Sequence, residues 1–332
     1  MKLKYLFLLL AVSLFAFSCD PVEEEVEKPD ITEPVDKPVF RKRRIEEGTI
    51  SVSVRMIGSA TGSNAGLSVV LPCPCDNEYQ EITDVETTGD VKEGEDGSFR
   101  YVVWNDTFTQ GDKIDSIYRV SFKMASYTIE VDFSQIKEIH PYDTASLLWK
   151  KYTGCSGEYI DPYDETIERL ADNLWQQTGD IVKYARQCYR YVAEHYKYLN
   201  PNTGIHTLKR NLSAGGGDCG NLSAIYISLL RNKGIPARPV VAVRTDGTFH
   251  VWSEFYLESY GWVPVDVTYL NSDPRGNYFG VYPADCVIMS NEYDLLLDIG
   301  ESPERVTILQ TYVYWYRGMS GLDAHYSAAK SY

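Results

Sequence analysis

The chain has 332 residues, 44% hydrophobic and 13% aromatic, with 32 Lys and Arg against 47 Asp and Glu and a net charge of −15. That length holds one large domain or two ordinary ones, and the apolar share is enough for a real core. The acidic balance argues against a nucleic-acid partner, whose phosphates require basic patches, and the 26 tyrosines are too versatile to mark a site by themselves.

Lys2 and Lys4 precede an apolar run from Tyr5 to Phe17. It is shorter than the roughly 20 residues that span a bilayer as a helix. Residues 1–18 therefore read as an export signal. The signal ends in Ala16-Phe17-Ser18-Cys19, which resembles a bacterial lipobox. The resemblance implies cleavage before Cys19 and lipidation of its thiol; a plain secretory peptide with an incidental Cys19 is the alternative. An exported lipoprotein of the cell envelope is expected, on the periplasmic or the cell-surface side of the outer membrane, touching the bilayer through the lipid alone. Residues 20–38 hold eight acids, two lysines and four prolines. Such a stretch buries too little to fold and reads as an extended tether. The basic run Arg41-Lys42-Arg43-Arg44 is expected as its solvated boundary, with the tether covering residues 19–45.

Ile50, Val52, Val54 and Met56 then alternate with Ser51, Ser53 and Arg55, the period of two that marks a half-buried strand. Residues 67–71, 99–104, 117–122 and 129–133 read as further strands between Gly, Asp and Asn turn signals. Residues 46–140 are accordingly expected to form a small β-sandwich domain.

The pattern changes after His140-Pro141. Ile167, Leu170, Ala171 and Leu174 recur at helical spacing in a run that opens at Asp161-Pro162, and a second helix is expected over 181–198. Residues 199–217 lack a period. A third helix should begin near Cys219, with Leu222, Ile225, Tyr226 and Leu229 on its apolar face and Gly234 and Pro236 ending it. Strands are expected at 238–243, 249–257 and 262–268. Helices followed by a meander of strands make residues 141–332 an α+β domain.

Seven cysteines less a lipidated Cys19 leave Cys73, Cys75, Cys155, Cys188, Cys219 and Cys286. Export permits disulfides, and their pairing stays open. Cys73-Pro74-Cys75 lacks a second Cys/His pair at zinc-like spacing, so ordinary structural cysteines are favoured over a redox or metal role. No cofactor or metal is called for.

Cys219 follows Gly215-Gly216-Gly217-Asp218 at the start of the third helix. There the positive end of the helix dipole and unpaired N–H groups favour a thiolate, and the Cys219 N–H is placed to help hold an oxyanion. The glycines are read as room for a substrate backbone. His250 stands in HVWSEFYL, with Trp252 and Glu254 on the same strand face, and Asp266 in GWVPVDVT. A turn at 258–261 folds these two segments into a hairpin, with His250 opposite or diagonally beside Asp266. A thiol, a base and an acid that orients the base make a candidate nucleophilic site.

GDCGNLSAIYISLLRNKGIPARPV, HVWSEFYL and GWVPVDVT, in that order, resemble the core of the transglutaminase-like superfamily, relatives of the papain-type thiol enzymes. The resemblance covers residues 161–268. It implies a papain/transglutaminase-like core of helices packed on an antiparallel sheet, with Cys219 as nucleophile, His250 as base and Asp266 as its orienter. It further implies acyl transfer at amide bonds of a protein or peptide substrate through a thioester. Gly220 stands where calcium-dependent animal members have Trp, so neither their calcium dependence nor their glutamine specificity carries over. Hydrolysis by a thiol amidase or peptidase is favoured. Protein-glutamine transamidation, or a binding module that keeps the fold without turnover, are the alternatives. Tyr198 and Asn200 are weaker candidates for a second oxyanion donor, and Trp252 and Trp262 for walls of the cleft.

Overall fold

A computed structural model describes residues 39–331 apart from 95–96, 200–203, 245, 274 and 301. The expected export signal, Cys19 and the tether up to residue 38 lie outside the described residues, as does Asn200.

Six strands come first: β1 (Phe40–Ala60), β2 (Ala65–Pro72), β3 (Gln80–Thr87), β4 (Asp90–Glu93), β5 (Arg100–Phe108) and β6 (Lys113–Val131). The basic run is not tether but the start of β1, where Phe40 pairs with Val131 and Arg41 reaches Asp132 at 2.6 Å. The segment expected at 117–122 and residues 129–131 of the one expected at 129–133 belong to the single long strand β6. Its ladder with β1 runs from Phe40↔Val131 to Ser59↔Lys113, so polar stretches within it are held by pairing that no local period reveals.

The helical region runs α1 (Leu147–Thr153), α2 (Glu165–Gln176), α3 (Ile181–His195), β7 (Lys197–Tyr198), α4 (Leu208–Ala214), β8 (Gly216–Gly217) and α5 (Cys219–Asn232). The helix expected from Asp161 begins at Glu165, because the Asp164 carboxylate accepts the N–H groups of Thr166 and Ile167. The helix expected through residue 198 stops at His195, and Lys197-Tyr198 pairs in parallel with Gly216-Gly217 instead. Helix α5 is buried all round from Gly220 to Arg231, with Asn221, Ser223, Ser228 and Arg231 among its buried side chains.

Next come β9 (Ala237–Arg244), β10 (Phe249–Leu257), β11 (Gly261–Val265) and α6 (Val267–Ser272). The chain closes with β12 (Val281–Tyr282), β13 (Cys286–Ser290), β14 (Leu295–Asp298), β15 (Pro303–Val306), β16 (Val313–Arg317) and β17 (Met319–Ser331). The strand expected over 262–268 ends at Val265, because Asp266 caps α6.

The fold is α+β. An antiparallel sheet ordered β11-β10-β9-β13 carries the helices, and two further sheets, β12-β6-β1-β17 with β3 on β6 and β16-β2-β5-β4, form the β region. A core of Val52, Val54, Leu67, Val69, Val120 and Phe122 lies between these two sheets, and Val243, Val287 and Met289 from the helix-bearing sheet join it. A second core packs α2, α3 and α5 on β9–β11. The C-terminal strands do not stay with residues 141–332: β16 pairs with β2, and β17 pairs with β1 from Thr49↔Ser331 to Ala60↔Met319. A boundary at residue 140, drawn where the periodicity changes, follows the sequence but not the sheets.

A buried ionic knot ties the two regions. Glu254 on β10 is fully buried; it accepts a short hydrogen bond from the Tyr79 hydroxyl and meets Arg238 Nε at 2.7 Å. The Arg238 guanidinium in turn lies 4.0 Å over the Trp262 ring.

Candidate functional site

Cys219 is the first residue of α5. Asp218, its N-cap, accepts the Asn221 N–H at 3.2 Å and Asn221 Nδ2 at 2.7 Å. Asn221 is fully buried, and its Oδ1 accepts the His206 N–H at 2.8 Å and Asn211 Nδ2 at 3.0 Å. One amide thus fixes the loop before α4, the middle of α4 and the cap beneath Cys219. Burial pushes the Asp218 carboxyl up, while the hydrogen bonds from Asn221 pull the other way.

The glycines serve the protein's own backbone rather than a substrate. Gly216 has φ +153°, and a Cβ there would meet the Lys197 carbonyl oxygen at 2.0 Å, where β7 passes β8. At Gly220 a Cβ would come within 2.2 Å of Ile205 Cδ1. The Gly220 carbonyl accepts the Tyr293 hydroxyl at 3.0 Å. A larger residue after Cys219 would require the Ile205 side chain to shift.

His250 and Asp266 are both buried. Ser253 pairs with Val265 and Glu254 with Pro264, so Asp266 falls on the diagonal from His250 rather than opposite it. The cap divides the carboxylate's work. Oδ1 accepts the N–H groups of Thr268 at 3.0 Å and Tyr269 at 3.2 Å, while Oδ2 meets His250 Nε2 at 2.6 Å. The Cys219 side chain lies close enough to the imidazole to act on its titration. Burial alone would lower the pKa of His250, but the Asp266 charge and hydrogen bond, and then Cys219, outweigh it and raise it to about 9. With its pKa at about 9 the ring carries a proton at neutral pH, held against Asp266 Oδ2. In the first turn of α5 the Cys219 N–H has no intrahelical acceptor.

Trp252 does not wall the cleft. It is buried, with its ring 5.9 Å from His250 on one side and 5.3 Å from Tyr282 on the other. Trp262 is likewise buried, under Arg238 and edge-on to Tyr152. Both are packing residues. Tyr198 does face the cleft, and Asn200 is outside the described residues.

The cleft over Cys219 holds about 690 Å³. One side is Tyr198, Ile205 and the Asp218–Gly220 turn; β10 adds Phe249 and Val251. The third side, Ile308, Gln310, Thr311 and Val313, was not foreseen. Gln310 Nε2 donates to the carbonyls of Ala242 at 2.6 Å and His250 at 3.0 Å, which clamps this segment to β9 and β10. Asn221 and Gln310 carry no local pattern that would single them out.

None of the six described cysteines is in a disulfide. Burial pushes the thiols of Cys73, Cys188 and Cys286 up and that of Cys75 up to about 11, so these are poor thiolates. Among the described residues no group of three or more His, Cys, Asp or Glu is arranged to hold a metal.

Residues 168–267 match the family profile of the transglutaminase-like superfamily core. The architecture is similar to that of a proposed cysteine protease from Cytophaga hutchinsonii, with a TM-score of 0.56 and 12% identity over 87% of this chain and 93% of that one. The periplasmic domain of TgpA from Pseudomonas aeruginosa aligns with a TM-score of 0.38 and 15% identity, over 73% of this chain and 90% of that domain. An uncharacterized Haemophilus influenzae protein is 20% identical over 249 residues, 62% of this chain. The match spans 64% of that relative's length.

Proposed function

We propose that this chain, which carries a transglutaminase-like core over residues 168–267, is a thiol enzyme that hydrolyses peptide or amide bonds, with Cys219 as nucleophile. The observation that carries the reading is the His250 ring, buried between Asp266 Oδ2 at 2.6 Å and the Cys219 side chain. The Cys219 thiolate attacks the amide carbonyl carbon, and the C–S bond forms while the carbonyl electrons move to an oxyanion beside the Cys219 N–H. As that oxyanion collapses, the C–N bond breaks and the His250 imidazolium gives its proton to the departing amine. A thioester and a neutral imidazole remain. His250 then takes a proton from water, the hydroxide oxygen bonds to the acyl carbon, and the thiolate leaves. Asp266, engaged by the α6 backbone through Oδ1, holds the ring in one orientation throughout.

Water is the favoured acceptor, because Asp218, the one acidic residue among the described residues lining the cleft, is committed to Asn221 and is not free to receive an ammonium group. Mass analysis of a peptide library after incubation should find new C-terminal carboxylates. With a labelled primary amine and a glutamine-bearing protein, little label should be incorporated. Efficient incorporation would assign transamidation instead, and a chain that forms no thioester with any peptide would be a binding module.

The lipobox-like Cys19 supports a further part of the proposal, that the enzyme is exported and held at the cell envelope by lipid. Among the described residues no helix is long and apolar enough to cross a membrane. Cys19→Ala should shift the expressed protein from the detergent phase to the aqueous phase. Equal partitioning of the two forms would remove the anchor from the proposal.

A further inference from the structure

Beyond Val313 the third wall of the cleft becomes β16, the end strand of its sheet. β2 occupies one edge of β16, and among the described residues no strand occupies the other. Thr311 and Val313 line the cleft at Cys219 and also a shallower groove of about 490 Å³. That groove runs on past Tyr312, Tyr314 and Trp315, with Arg305 and Val306 from the β15 segment on its other bank. The two depressions share a rim and form one channel from the sulfur along the free edge of β16.

The channel has the features that receive an added strand. An end strand presents alternate main-chain N–H and C=O groups outward, ready to pair with another chain. Tyr312, Tyr314 and Tyr316 stand in a row with ring centroids 6.1 Å apart at each step, and Tyr326 braces the row at 5.9 Å from Tyr312. Rigid aromatic rings supply contact area at low entropic cost. Arg305, the one charged residue among the described residues on the banks, is paired with Asp294 at 2.8 Å, so the described lining holds no uncompensated charge that would call for a charged ligand.

We propose, resting on the acyl-transfer reading above, that the substrate is an extended polypeptide segment that adds to the free edge of β16 and is led from there to Cys219. Main-chain pairing supplies its register, and the aromatic row selects neutral, apolar or aromatic side chains at alternate positions. A carbohydrate would use the same rings but not the main-chain edge.

The test measures binding to the full chain carrying Cys219→Ala, which cannot consume the peptide. The probes are fluorescent acetylated peptide amides of alternating Ala and Tyr, two, four and eight residues long. Affinity should rise at least tenfold from two residues to eight. N-methylation of alternate amides in the octapeptide should cost at least tenfold, while methylation of the intervening amides should cost little. Affinity independent of length, indifference to N-methylation, absence of binding, or displacement of the peptide by a neutral oligosaccharide at lower concentration would each overturn the proposal. The readout is separate from turnover. Length-dependent binding with no thioester in the wild type would sink the acyl-transfer reading and leave the edge-pairing inference standing.

Discussion

Cys219→Ala is expected to lower acyl-enzyme formation and peptide hydrolysis by about ten-thousand-fold or more, because Cys219 is the thiol that lines the cleft among the described residues. The other described thiols are no substitute: burial raises those of Cys73, Cys75, Cys188 and Cys286, and Cys155 is raised by burial and by Asp161. Stability should change by less than about 1 kcal/mol, since the half-buried thiol adds little packing that alanine lacks. Mass spectrometry of the trapped enzyme and a urea titration check the two halves separately. A trapped acyl group in the Cys219→Ala protein would place the nucleophile elsewhere.

The largest loss of stability is expected from Arg238→Met. Methionine fills much of the volume but leaves the Glu254 carboxylate buried without its cation, a change worth about 3–5 kcal/mol in proteins. Part of this is recoverable with acid. Burial already pushes the Glu254 carboxyl up, and Arg238 is what chiefly opposes it. In the variant the group should take a proton at higher pH than in the wild type, so the stability gap between the two should narrow as the pH falls from 8 to 5. Urea midpoints across that range read both effects. A gap below about 1 kcal/mol at pH 8 would mean that water or a rearranged Tyr79 replaces the arginine. Because Glu254 and His250 share β10, the variant should also lose activity under conditions where it remains folded.

The three candidate residues were legible because each rests on local signals. Asp218 and Cys219 mark a helix start, the alternation in HVWSEFYL orients His250, and the short turn at 258–261 brings Asp266 near it. The orientation of Asp266 was legible only in part, since a residue in an apolar strand pattern turned out to cap a six-residue helix. What the sequence did not disclose is non-local. The wall formed by residues 308–313 comes from the far end of the chain, and Gln310 acts only once β9 and β10 are adjacent. The Glu254–Arg238–Tyr79 knot joins positions 175 residues apart at its widest. Polar stretches of β1 and β6 carry no apolar period, yet they pair along their full length, because a ladder of main-chain bonds does not require one. Gly216 looked like space for a ligand for the same reason: the Lys197 backbone that occupies that space is distant in sequence.

The pairing of Cys219 with His250 is reached most directly by the NMR titration of the His250 ring, assigned by comparison with His250→Gln. A midpoint near 9 is expected in the wild type. A group raised in this way stabilises the fold fully below pH 6.5, and that contribution fades as the pH rises through about 9. The midpoint should fall in Cys219→Ala, which removes the sulfur's contribution, and further in Asp266→Asn, which removes the larger one. A wild-type midpoint near the unperturbed value of about 6.5, unmoved by Cys219→Ala, would mean that the imidazole and the thiol are not electrostatically joined, and the proposed mechanism would lose its base.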